Sequence, residues 1–202
     1  MNLDDISKYL PQYLSDDNQK ELFQQLKDFP NNYHKIFASL SNFDNGIIQS
    51  DVVENIPFIN LPQTEIKKAK VLVLSNSCDI EPTNQRHVPP SVSYVPIISL
   101  TKLEALFRSQ NKSDEQIFNI MNDIKKQNIT SMFYLPKGAN LDENCVALFD
   151  KTLHCKRDDF FNLAQEDNRK KLVSLGNYGF YIFLIKLSIH FTRIHEGIDR
   201  DS

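Results

Sequence analysis

Cys78 and Asp79 stand together just past the apolar run Val71-Leu72-Val73-Leu74, at a small polar tip that opens with Ser75-Asn76-Ser77. A cysteine becomes a nucleophile when a nearby imidazole or a helix N-terminus lowers its pKa. His87 follows in the next polar segment, and His190 and His195 lie near the end of the chain. Cys78, Asp79 and His190 are therefore the candidate catalytic residues, with the thiol attacking and the carboxylate orienting a base. The competing reading is structural, with Cys78 as a small buried hydrophobe and Asp79 capping a turn.

A second group could bind charge. Lys186, His190 and Arg193 follow one another at i, i+4 and i+7, so a helix would align them on one face. Such a strip suits a phosphate or an acidic partner. It could equally be the solvated side of a helix whose core stripe is Phe180, Phe183, Leu184, Leu187 and Phe191. The short basic clusters Lys67-Lys68-Lys70, Lys125-Lys126 and Arg169-Lys170-Lys171 are ordinary surface charge unless folding gathers them into an RNA-sized patch. Cys145, His154 and Cys155 match no structural zinc spacing, so no metal is expected. No dinucleotide fingerprint or P-loop occurs among the 5 glycines, and no cofactor is expected.

These residues need elements to hold them. Four consecutive apolar residues ending at a polar tip read as a strand buried on both faces. Ile47–Val53 and Ile56–Ile59 suggest an entry strand bent by Pro57, and Ser93–Leu100 a neighbour in which Pro96 implies an edge or a bulge. The proline-rich loop from Glu81 to Val92 is expected to fold over the Cys78 end. Helices are expected from a cap at Asp16 or Ser15 through Phe29, from Asn32 to Leu40, after the capping boxes Thr101 with Glu104 and Ser113 with Gln116, and from Asn177 to Glu196. Two further strands, Ser131–Leu135 and Cys145–Phe149, complete the pattern.

The expected fold is α+β: a small, mostly antiparallel β-barrel or sheet decorated with N-terminal, middle and C-terminal helices. Residues 1–202 read as one compact domain, with a helical section over 1–45, the barrel with inserted helices over 47–150 and a core helix over 177–196. Hydrophobic residues make up 41% and charged residues 24%, which argues against disorder. A net charge of −3 gives no case for non-specific nucleic-acid binding. The acidic N-terminus is unlike a signal peptide, and Tyr178–Ile189 is shorter than the ~20 residues that span a bilayer. Three cysteines without CxxC spacing read as free thiols, so a cytoplasmic location without membrane contact is expected.

The order Asp51-Val52-Val53, then Lys70 to Ser75, then Val95-Pro96-Ile97-Ile98-Ser99-Leu100-Thr101 resembles the β-barrel of MazF/PemK-type toxins. That resemblance implies a bacterial endoribonuclease fold that meets single-stranded RNA and pairs with an antitoxin. The family's arginine before the central strand is absent, since Lys67, Lys68, Ala69 and Lys70 stand there. The whole chain is also similar to bacterial proteins linked with mobile and defence genes. These share the Ser75…Cys78-Asp79 strand end, Phe133-Tyr134-Leu135-Pro136 and the Lys186-Leu187-Ser188…Arg193 helix. The reading that follows is a non-catalytic binding or regulatory module of a bacterial toxin–antitoxin or phage-defence system. Its partner is a protein encoded nearby, or RNA, held by Lys70, Lys186, Arg193 and Thr101. The alternatives are an enzyme built on Cys78, Asp79 and a histidine, or a divergent ribonuclease using Lys70 and Thr101.

If Val71–Leu74 is the most buried strand, Val73→Asp should abolish cooperative folding. An unpaired buried carboxylate costs several kcal/mol against a total of only ~5–15. A soluble Val73→Asp protein with a sharp thermal transition would refute the assignment.

Overall fold

The computed structural model describes residues 15–39, 46–84, 87–165 and 171–192. Its centre is an antiparallel sheet built from β1 (Val52–Ile59), β2 (Ile66–Val73), β3 (Ser91–Ser99), β4 (Met132–Leu135), β5 (Cys145–Leu148), β6 (Leu153–Lys156) and β7 (Lys171–Val173). The order is β4-β5-β3-β2-β1-β7, and β6 pairs with the first half of β3. The ends of that path do not meet, so of the two expected architectures the open sheet is the correct one and the barrel is not. β6 and β7 lie beyond residue 150, between the section read as the barrel and the last helix.

Alternation along β2 divides the core between the two faces. Leu72 and Leu74 join Val95, Ile97, Phe133 and Phe149 on one side. Val71 and Val73 join Tyr94, Ile80 and Phe160 on the other. The first side is covered by α1 (Asp16–Lys27) and the long α6 (Asn177–Thr192), whose Phe183 meets Phe133 edge-on at 5.7 Å. The second is covered by α5 (Arg157–Gln165), with α2 (Ser77–Ile80) contributing Ile80. A third cluster packs α3 (Leu100–Ser109) and α4 (Asp114–Lys125) over Tyr134, Val146 and Leu148.

Local chemistry explains most boundaries. Ser15 accepts from Asn18 N to start α1, and Ser113 with Gln116 forms a capping box at α4, as the sequence implied. At α3 the cap is Ser99 rather than Thr101, since the Ser99 hydroxyl accepts from Lys102 N. The expected helix from Asn32 to Leu40 is only the 3-10 turn Tyr33–Lys35. Beyond it the backbone extends alongside residues 174–176, with Ala38 N donating to Ser174 O and Gly176 N to Ile36 O. Gly179 lets α6 press against this segment, because a Cβ there would overlap Ile36 O.

Pro96 is not on an edge strand. β3 pairs along one side with β2 and along the other with β6 (Ser91–Tyr94) and then β5 (Ile97–Ser99). Pro96 falls at the break between those two partners, where the 3-10 turn Phe149–Lys151 interrupts the neighbouring chain. A central strand tolerates a proline at such a gap, because the ladder is already interrupted there.

Lys186 also departs from expectation. It is 6% exposed, not part of a solvated strip. Its ammonium donates to Gln127 O and Ile129 O, both at 2.7 Å, just beyond the C-terminus of α4. Burial pulls its pKa down to about 8. Gln127, fixed by this bond, turns its side chain onto β4. Its amide donates to Tyr134 O at 2.8 Å, and its oxygen accepts from Tyr134 N at 3.0 Å.

A lysine whose folded pKa is depressed makes the unfolded state the better proton binder between the two values. Stability from this group therefore rises as pH climbs from about 8 towards the ordinary 10.5. Cys145, raised to about 11, acts with the opposite sign in the same range, so the comparison must be with Lys186→Met. That variant should lose ~1–3 kcal/mol by stranding two carbonyls. Its deficit relative to wild type should widen between pH 7.5 and 9.5 in denaturation curves, and a deficit independent of pH would contradict this account.

Candidate functional site: a forked sheet with a basic cleft

A bulge in β1 creates the most distinctive surface feature. The β1–β2 register shifts between Val53 and Ile56, and Asn55 at the shift has φ 61°. Asparagine accepts this left-handed conformation more readily than other side chains, and bulges bend a strand and increase its twist. Beyond the bulge the hairpin parts company with β3. Register between β2 and β3 covers only Lys70–Val73 against Ile97–Tyr94. Ile66–Ala69 pair with β1 alone, while Ile98 and Ser99 pair with β5. The sheet forks at Lys70 and Ile97.

A cleft of about 780 Å³ fills the fork. Lys67, Lys68 and Lys70 line one side, with Lys102 from α3 and Lys151 from the turn after β5 facing into the same space. Three carboxylates, Glu54, Glu143 and Asp150, also border it, and Lys67 pairs with Glu65 at 3.1 Å, so five lysines stand against four carboxylates. Phe58, Leu106, Phe107, Met132 and Leu148 give it an apolar component, and Leu106 is 49% exposed. The Lys67-Lys68-Lys70 cluster was visible in the sequence. Its gathering with Lys102 and Lys151 was not, since those lysines come from α3 and from beyond β5.

The other candidate residues are dispersed. Cys78 and Asp79 are exposed on α2, where Asn76 caps the turn by accepting from Cys78 N at 2.9 Å. An exposed Cys78 is not the buried hydrophobe of the structural alternative. The loop expected to cover this end does reach it, for Asn84 Nδ2 donates to Cys78 O at 2.6 Å. Arg157 pins the same loop through Glu81 O and Asn84 O. His190 packs on the other face of the sheet, with its ring 5.7 Å from Phe149, while Ile80 of α2 belongs with Val71 and Val73. Cys78 and His190 are thus on opposite sides of β2, and His87 is exposed in the loop. Lys186 is committed to carbonyls, and Arg193 and His195 lie outside the described residues. Thr101 is exposed on α3 and does not line the cleft that holds Lys70.

Burial raises the Cys145 thiol to about 11 and moves Cys155 upward as well, so neither is a ready thiolate. Among the described residues no three His, Cys, Asp or Glu side chains gather as a metal site. No helix among them is long and apolar enough to cross a membrane. No known protein family matches the chain, and no curated protein matches it.

Asn55→Val places a β-branched side chain in the left-handed region and should cost ~1–2 kcal/mol, whereas Asn55→Gly should be close to neutral. Chemical denaturation of both variants tests this. Equal stability of the valine and glycine proteins would mean that the bulge does not depend on residue 55.

Proposed function

We propose that this chain is a non-catalytic binding module that holds an extended, negatively charged segment of a protein partner in the forked cleft. The setting we propose is a bacterial toxin–antitoxin or phage-defence system in the cytoplasm. The observation that carries the reading is the convergence of five lysines from β2, α3 and the turn after β5 on one partly apolar cleft. Complementary charge of this kind steers encounter and fixes orientation, while the apolar component supplies affinity. The separation of Cys78 from His190 by the sheet favours binding over cysteine catalysis. Phe58 and Phe107 beside the lysines favour single-stranded RNA as the second reading, because bases stack on aromatic rings.

The test reverses charge on two walls of the cleft at exposed positions. Tagged wild-type chain and Lys68→Glu/Lys102→Glu should be purified from the native host, with protein and nucleic acid both identified. A specific protein retained by wild type and lost by the variant, with unchanged melting temperature, is the expected result. Retention of the same partners by both would remove the cleft from consideration. Loss of RNA alone would transfer the reading to nucleic acid.

A further inference from the structure

We infer that a second site, between the 3-10 turn Tyr33–Lys35 and the turn after β4, binds a nucleoside monophosphate, either free or as the phosphorylated end of an RNA. This goes beyond the proposed function, because the hollow concerned shares no lining residue with the forked cleft.

The hollow has a volume of about 540 Å³, within the ~300–1,000 Å³ that seats small ligands. Its lining has two halves of different chemistry. The first is aromatic, with Tyr33, Phe37 and Tyr134. Tyr33 meets Tyr134 edge-on at 5.8 Å, and it is 39% exposed where Tyr134 is 2%. Tyr33 is therefore the ring that a flat ligand can reach, and nucleic-acid bases stack on such rings. The second half is cationic. Lys125 comes from the last turn of α4 and Lys137 from the turn after β4. Carboxylates stand beside the lysines of the forked cleft, but among the described residues none lines this hollow.

Asn144 ties the two halves together. Its Oδ1 accepts from Tyr134 OH at 2.9 Å and from Lys137 N at 2.8 Å. Burial lifts the Tyr134 pKa to about 12, which keeps the phenol protonated as a donor. With its oxygen used twice, Asn144 has its NH2 left to offer a ligand, and an NH2 suits an anion. Beyond Lys137 the turn closes tightly, since Gly138 N donates to Leu141 O and Leu141 N donates to Gly138 O. That turn rests on Phe37, for a Cβ at Gly138 would come within 3.4 Å of the ring. A phosphate answers two ammonium groups and an amide donor, and a base answers the tyrosine. A nucleotide carries both. The competing account is structural, with Lys125 offsetting the C-terminal dipole of α4 and Tyr33 merely covering Tyr134. On that account nucleotides should find nothing to bind.

The full chain should be titrated by calorimetry with AMP, UMP, adenosine, inorganic phosphate and a 5′-phosphorylated triadenylate. The inference expects saturable, salt-sensitive binding of a nucleotide, with adenosine and inorganic phosphate each weaker by about tenfold or more. Lys125→Gln/Lys137→Gln, at two exposed positions, should weaken nucleotide binding by about the same factor at unchanged melting temperature. Tyr33→Leu should erase the advantage of the nucleotide over inorganic phosphate. Lys68→Glu/Lys102→Glu, which alters only the cleft, should bind nucleotide like wild type, so the two readings fail separately. Tighter binding of the triadenylate would support the inference with an RNA end as the source, and tighter binding of AMP or UMP would support it with a free nucleotide. Binding of none of the three overturns it, as does inorganic phosphate binding as tightly as the nucleotides. Wild-type affinity in Lys125→Gln/Lys137→Gln, or lost affinity in Lys68→Glu/Lys102→Glu, would overturn it too.

Discussion

Asp51 is the buried charge on which the placement of β1 depends. It is 0% exposed, and both of its carboxylate oxygens have partners. Ser174 Oγ donates to Oδ1 at 2.6 Å, Ile48 N donates to Oδ2 at 2.9 Å, and Lys171 Nζ lies 3.2 Å from Oδ2. Its own backbone carbonyl accepts from Val73 N at 2.9 Å. One residue therefore joins the turn before β1, the end of β2 and strand β7. Burial raises its pKa, and the bonds from Ser174, Ile48 and Lys171 work against that rise. A buried ion pair adds little net stability over a well-packed apolar substitute, yet removing one partner is costly because the other charge is left stranded. The physical role of such a group is registration. With Asp51 held on both sides, β1 can start in only one place, and the bulge at Asn55 follows four residues later.

The fork then follows from the local geometry. A straight β1–β2 hairpin would continue beside β3 to Ser99 and leave no cleft. The bulge bends the hairpin away, and α3 begins at Leu100, where β3 ends. Ser99 sits at both events, pairing with Cys145 in the ladder and capping α3. On the far edge of the sheet the structure does the reverse. Lys186 holds the carbonyls after α4, and Gln127 seals β4 from there. One edge is closed by a side-chain amide and the other is opened by a bend.

What could be read from the sequence was what depends on neighbours in the chain. Val71–Leu74 announced a buried strand through composition alone, and Ser113 with Gln116 announced a helix start through spacing alone. What could not be read depends on pairing across the sheet. Pro96 read as an edge or a bulge because nothing local reveals that β5 and β6 share the same side of β3 with a break between them. Lys186 looked like part of a cationic strip because α6 is apolar nearly all round, so periodicity could not say which side faces the core. Lys171 looked like the end of a surface cluster, although its partner, Asp51, is 120 positions away. Of the site, the three lysines of β2 were legible, but the fork that gives them meaning was not.

In a near-neutral chain, charge acts locally. A net charge of −3 describes the far field, and salt screens the far field beyond about 8 Å under physiological conditions. In the proposed site several lysines line one cleft together with Phe58, Phe107 and Met132. Interactions there are stronger than at an open surface because the effective dielectric is lower. On the proposed function, Glu54, Glu143 and Asp150 would disfavour a polyanion whose charges fall beside them. A ligand of the proposed kind would have to place its negative charges beside the lysines and away from these carboxylates. Selectivity of that kind comes from the spacing of charge and not its amount, and β2 carries three of the five lysines.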